Sequence, residues 1–245
     1  MSLLTGLISY WKLDEASGNA ADAHGSNTLT NNGTATFAPG KLNNGADLEL
    51  DSSQFFSIAD ASQSGLDFST ALSFSLWYKP ETEPSPLAVL IGKREQPGNE
   101  SYYFAHWPGL GGIRLNVDAN GDGVTNDSFD FTVTLNDATW YHLVITWDGA
   151  TKTAKLYVDG SQSGSDIVGS AVSSIYNGAA PFRMGAIDAD QYLIDGMLDE
   201  VGVWSRVLTS GEVTSLYNSG TPLAYEDFAP PAAGNQKNML LMGVG

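Results

Sequence analysis

Trp140-Tyr-His-Leu-Val-Ile-Thr-Trp-Asp-Gly149, followed closely by Leu156-Tyr-Val-Asp-Gly160, decides how this chain folds. Each run is rich in β-branched and aromatic residues and ends in Asp-Gly, the dipeptide that best accommodates the positive-φ positions of a tight hairpin turn. A related run, Ile194-Asp-Gly-Met-Leu-Asp-Glu-Val-Gly-Val-Trp-Ser-Arg-Val-Leu208, closes the pattern near the C-terminus. These three segments predict antiparallel strands joined by short turns.

Outward from them, further strands are expected at Leu7–Leu13, Ala46–Leu50, Phe55–Ile58, Leu72–Lys79, Leu87–Lys93, Tyr102–His106, Ile113–Val117, Asp130–Thr134, Trp140–Trp147, Thr153–Val158, Phe182–Met184 and Met197–Trp204. Period-two alternation assigns faces. Phe74, Leu76 and Tyr78 point one way and Ser73, Ser75 and Trp77 the other; Ala154, Leu156 and Val158 likewise oppose Thr153, Lys155 and Tyr157. Many short strands with turns between them predict an all-β, two-sheet antiparallel sandwich. One short helix is expected after Leu208, with Thr209 as N-cap and Glu212 three residues on as a capping box. Val213, Leu216 and Tyr217 would form its buried face, and Gly220 and Pro222 would end it.

A chain of 245 residues can form one such domain with a full core, and with no cysteine it needs neither disulfides nor thiolate metal sites. The formal charge is −17, from 28 acidic and 11 basic residues. Without basic clusters to neutralise phosphates, nucleic acid is set aside as a partner. The acidity fits a soluble, self-repelling surface, and it also fits calcium-dependent structure. No apolar run is long enough for a membrane span, and Met1-Ser-Leu-Leu-Thr-Gly-Leu lacks the basic region and apolar core of a secretory leader. The expectation is therefore synthesis in a cytoplasm without the usual export.

Five segments in order carry a family resemblance: Leu7-Ile-Ser-Tyr-Trp-Lys-Leu-Asp-Glu-Ala-Ser-Gly18 with Ala21–Asn27; Pro39–Leu42 with Gly45–Leu48; Leu72–Pro80; Trp140–Gly160; and Asp195–Leu208. Over roughly residues 5–220 the chain resembles the laminin-G-like, concanavalin A-like jelly roll of the lectin/glucanase superfamily. That resemblance implies a jelly-roll sandwich over residues 1–222 and a structural calcium that ties the N-terminal loop to the last strand. By the same resemblance the metal ligands would be Asp22, Gly25, Asn27 and Asp199. The alternative is that Asp22 caps a turn and Asp199 pairs with Arg206. A second segment, Asp118-Ala-Asn-Gly-Asp-Gly-Val-Thr-Asn-Asp127, starts like an EF-hand loop. It lacks the acidic residue at position 12, where Phe129 stands. Either calcium is held by Asp118, Asn120, Asp122 and Asp127, or the segment is a hairpin loop between strands.

Catalysis is not expected. The Glu-x-Asp-x-x-Glu strand motif of the related glucanases is absent, and Asp195 and Asp199 are separated by Gly196, which suggests a bend. His142 sits within a strand motif as a structural residue, and His24 and His106 lack partners by spacing. Binding is the expected activity. Tyr102–Trp107 is an aromatic cluster beside a Gly-rich loop; core packing takes Tyr102, Phe104 and His106, which leaves Tyr103 and Trp107 as candidate ligand-binding residues for a glycan. Residues 223–245 read as a Pro-containing linker and an extended apolar arm, with Met239, Leu240, Leu241 and Met242 available to dock onto the same domain, another copy or an assembly. The combined expectation is a non-catalytic module on a phage or other virion surface, with glycan or a capsid or tail protein as partner. The alternatives are an extracellular carbohydrate-binding module of a bacterial enzyme or adhesin, and a glycoside hydrolase or lyase.

Overall fold

The computed structural model describes residues 2–188 and 191–229. Its first eight strands are β1 (Leu7–Trp11), β2 (Thr30–Asn32), β3 (Thr36–Pro39), β4 (Asn44–Leu48), β5 (Phe55–Ile58), β6 (Ala71–Pro80), β7 (Ala88–Glu95) and β8 (Asn99–Trp107). The remaining seven are β9 (Gly112–Asp118), β10 (Asn126–Thr132), β11 (Tyr141–Asp148), β12 (Thr153–Val158), β13 (Ser161–Val168), β14 (Phe182–Met184) and β15 (Gly196–Trp204). They form an eight-stranded sheet, ordered β13-β12-β11-β6-β15-β4-β3 with β1 also on β15, and a seven-stranded sheet ordered β10-β9-β8-β7-β14-β5-β2. All pairings are antiparallel. This is the two-sheet jelly-roll sandwich that the Asp-Gly runs predict.

The alternation sets the core. Phe74, Leu76 and Tyr78 of β6 meet Tyr102, Phe104, Leu115 and Phe129 of the facing sheet, all essentially closed to solvent. Each such side chain contributes roughly 1.5–3 kcal/mol on burial. The outward face of the eight-stranded sheet is not left bare. Tyr10, Val144, Tyr157 and Trp204 form a second apolar cluster beneath Leu208, Val213, Leu216 and Phe228. The helix α1 (Ser210–Tyr217) covers it and carries the expected capping box, in which Thr209 Oγ1 accepts the Glu212 N–H and the Glu212 carboxylate accepts the Thr209 N–H. Trp204 Nε1 donates to the Leu3 carbonyl at 2.7 Å, fixing the N-terminal segment to the last strand.

The same cluster holds the chain beyond residue 222. Tyr225 stacks on Tyr10 with ring centroids 5.3 Å apart, and Phe228 meets that ring edge-on at 4.9 Å. Residues 223–228 thus cover the sandwich instead of leaving it as a linker, because the apolar patch over β1 and β15 extends past the helix. Pro230–Lys237 and the docking residues Met239–Met242 lie outside the described residues.

Candidate functional site

The outward face of the seven-stranded sheet is half covered. After β14, Ile187 lies over Val89, Tyr103 and Ala105, with Tyr192 packed alongside. A Cβ at Gly92 would stand 2.4 Å from the Ile187 side chain, so a residue with no side chain is needed there. Toward β10 the face becomes exposed, and register decides what it displays. Tyr103 lies opposite Asn116 and Asn116 opposite Ser128; Ala105 lies opposite Arg114 and Arg114 opposite Asp130. Directly paired residues share a face, so these make two cross-strand rows with Trp107 at the end of β8.

The rows are bonded into one platform. Arg114 Nε and Nη2 bind the two oxygens of Asp130 at 2.6 and 2.8 Å, the bidentate geometry that fixes a guanidinium plane. That guanidinium lies 4.5 Å from the Trp107 ring centroid, and Arg94 lies 5.3 Å from that of Tyr103. Asn116 Nδ2 donates to Asn126 Oδ1 and Ser128 Oγ at 3.2 and 2.9 Å. Hydrogen bonding to Asp130 raises the Arg114 pKa further, and burial raises that of the Tyr103 phenol. Trp107 is half-buried and Tyr103 buried, while Ser128 and Asp130 are exposed. The structure therefore brings Tyr103 and Trp107 onto one face, as alternation predicts, and adds Arg114, Asn116, Ser128 and Asp130. Those four are legible only once the Asp118–Asp127 turn fixes the β9–β10 register.

The residues named for calcium are engaged otherwise. Asp22 Oδ1 accepts the N–H groups of Tyr10, His24 and Gly25, and Oδ2 accepts that of Asn27, all at 2.9–3.0 Å. The Asn27 amide is buried between Ser9 and Ser64. Asp199 Oδ2 accepts the N–H groups of Lys41 and Leu42 at 2.7 and 2.9 Å. N–H groups thus take both Asp22 oxygens and Asp199 Oδ2, whereas Asp199 Oδ1 is buried without a hydrogen-bond partner among the described residues. Asp22 caps a loop. Arg206 pairs with Glu212, not with Asp199.

The Asp118 loop is the β9–β10 hairpin turn. Asp118 accepts from the N–H groups of Asn120, Gly121 and Gly123, and Asp122 from those of Val124 and Thr125. Asp127 faces away, binding the N–H groups of Ser170, Ala171 and Val172. These four predicted ligands do not converge, and the Thr125 and Val124 N–H groups hold the Asp122 carboxyl down to about 2.

Buried ionisable groups lie under the other sheet. β15 slips register against β6 between Asp199 and Gly202, and Glu200 there has φ 49°. This bulge breaks the alternation that would send neighbouring side chains to opposite faces, and both carboxyls end buried. Tyr10 donates its phenol hydrogen to Glu200 Oε2. Burial, with the adjacent Glu200 charge, pushes Asp199 up to about 8, and burial pushes Glu200 to about 7. Nearby, His142 Nε2 lies 3.0 Å from Ser75 Oγ, under Trp77 and Tyr217, and burial lowers its pKa to about 3. His106 faces the core against Tyr78 and is lowered to about 4 by burial. Both histidines are buried.

A profile of the concanavalin A-like lectin/glucanase superfamily, in its laminin-G group, matches residues 50–214, more than half of the chain. The chain belongs to that superfamily. Among curated proteins it is similar to the rat "Sushi, von Willebrand factor type A, EGF and pentraxin domain-containing protein 1", 28% identical over an alignment of 116 residues, with 42% of this chain and 3% of that protein covered. The chain thus spans a very small part of the curated relative it matches. Among solved structures, domain 4 of AbnA, an extracellular arabinanase of Geobacillus stearothermophilus, in complex with arabinotriose, is 21% identical with a TM-score of 0.64. The match covers 86% of this chain and 98% of that one. The binding domain of Paraclostridial Mosquitocidal Protein 1 is 16% identical with a TM-score of 0.67, over 89% of this chain and 53% of the other. The binding domain of botulinum neurotoxin DC in complex with SialylT is 13% identical with a TM-score of 0.66, over 89% and 52%. These likenesses establish a shared jelly-roll fold.

Proposed function

We propose that this superfamily member is a non-catalytic carbohydrate-binding module whose ligand lies on the β8–β10 platform. The observation that carries the reading is the bonded set Trp107, Arg114 and Asp130. An aromatic residue, a fixed guanidinium and carboxylate, and neighbouring amide and hydroxyl groups together match the mixed C–H and hydroxyl surface of a sugar. The sugar-bound arabinanase domain and the SialylT-bound toxin domain, built on the same fold, support the ligand class. A glycosidase needs an acid and a base carboxyl open to the glycosidic bond. Asp199 and Glu200 have the raised pKa values such work favours, but they are sealed beneath side chains and loops, which supports binding without hydrolysis.

Calorimetric titration with arabinotriose and with a sialylated trisaccharide tests the reading. Trp107→Ala and Arg114→Ala should each weaken any binding by about tenfold, the equivalent of roughly 1.4 kcal/mol. Unchanged affinity in both variants would move the site elsewhere. We further propose that the module is displayed on a larger assembly, specifically a phage virion, with capsid or tail protein as partner. The acidic, self-repelling composition and the apolar Asn238–Met242 segment support that setting. Particle incorporation of a chain ending at Ala229 tests it, since unchanged incorporation would rule out attachment through the arm.

A further inference from the structure

We propose a second ligand site, for a short neutral oligosaccharide, in the groove between the two sheet edges formed by β2 and β3. Each of these strands pairs on one side only, β2 with β5 and β3 with β4. The sandwich is therefore open between them, leaving a groove of about 620 Å³, within the usual size of a small-ligand site. Its chemistry is unusual for this molecule. No charged side chain lines it, although the chain carries 28 acidic and 11 basic residues. The lining is instead one half-buried aromatic ring, Phe37, among the hydroxyls of Ser17, Thr34 and Thr36 and the amides of Asn19 and Asn31.

The groove is also pre-formed. Asn31 Nδ2 donates to the carbonyls of Gly18 and Ala35 at 2.9 Å each, and its Oδ1 accepts the Ala35 N–H at 2.8 Å. One side chain thus ties both walls together. Asn19 Oδ1 accepts the Asn31 N–H at 3.0 Å, leaving the Asn19 amide nitrogen uncommitted among the described residues. Behind the ring, Phe37 is seated on Phe56 with centroids 5.9 Å apart. A fixed ring, spare hydroxyl and amide groups, and no ionic partner select an uncharged ligand with both C–H faces and hydroxyls. An anionic ligand would find no cation there, and a cationic one no carboxylate. The site is independent of the platform. Strands β7, β14 and β5 stand between β8 and β2 in the sheet order, about 20 Å of sheet.

The test is an NMR titration of the chain with cellotriose, xylotriose and maltotriose, and with trigalacturonate as the anionic control. At least one neutral trisaccharide should shift the Asn31 side-chain amide and the backbone amides of residues 34–37, and trigalacturonate should not. Ser17→Trp fills the groove from an exposed position outside the Asn31 network and should weaken that binding about tenfold or more. Asn19→Ala should weaken it less, and Trp107→Ala should leave it unchanged. The proposal is overturned if no neutral trisaccharide shifts the groove, or if trigalacturonate shifts it equally. It is also overturned if Trp107→Ala removes the shifts while Ser17→Trp keeps them, which would leave the platform as the binding site. An extended apolar peptide occupying the open edge of β3 in place of sugar would overturn it as well.

Discussion

Asp199 and Glu200 make this fold sensitive to alkali. In the unfolded chain both carboxyls ionise near pH 4, whereas the folded protein holds their protons up to about 7 and 8. The folded state therefore binds more protons across that interval, and stability falls as pH rises through it. His142 and His106 act in the opposite sense. Burial keeps them neutral down to about 3 and 4, whereas in the unfolded chain they take a proton below about 6.5, so stability falls as pH drops. Between about pH 4.5 and 6.5 the two effects oppose each other; above that the carboxyl effect acts alone. Thermal melting should show a plateau in mild acid and a decline toward pH 8. Asp199→Asn keeps an acceptor for Lys41 and Leu42, removes one titrating group, and should flatten that decline; an unchanged profile would contradict the assignment. Asp22 gives a second residue-scale test. If it caps four N–H groups, Asp22→Ala should cost about 1–3 kcal/mol equally in calcium and in chelator, as read by chemical denaturation. A loss confined to calcium buffer would restore the metal reading.

Strands and helix show which parts of the molecule its sequence discloses. Apolar alternation is plain in Ser73–Lys79 and Thr153–Val158, and both segments place their faces as alternation predicts. β2 (Thr-Asn-Asn), β3 (Thr-Phe-Ala-Pro) and β13 (Ser161–Val168) are edge strands without such a pattern, and their neighbours place them. The β2–β3 groove was hidden for that reason. Tyr103 and Trp107 were visible as aromatics, but Arg114 and Asp130 become partners only through cross-strand register. An Asp beside Gly and Asn does not reveal whether its oxygens face a cation or N–H groups, so the calcium sets could not be judged before folding. The cap of α1 was fully local, and Thr209→Ala should cost about 1 kcal/mol in a denaturant melt. Lys93 carries the opposite lesson. It is wholly buried in β7, 2.8 Å from both Asp60 and Asp67, whereas its apolar neighbours suggested only an interior strand. Lys93→Met strands two carboxylates that keep some solvent contact, so the cost should lie near the low end for broken buried pairs, about 3 kcal/mol.

At the scale of the whole molecule, the two sheets divide the work. The eight-stranded sheet is covered outside, over β1, β11, β12 and β15, by α1, Tyr225 and Phe228, and its buried carboxyls and His142 hold structure. The seven-stranded sheet exposes Ser128 and Asp130 beside half-buried Trp107 and Arg114, and recognition of a glycan is proposed there. Calorimetry of the full chain against a glycan panel, repeated with Arg114→Ala, tests this division most directly. Measurable binding to at least one glycan, no release of reducing ends during the titration and about tenfold weaker binding in the variant are expected. Binding that survives Arg114→Ala unchanged, or hydrolysis of the bound glycan, would contradict this division.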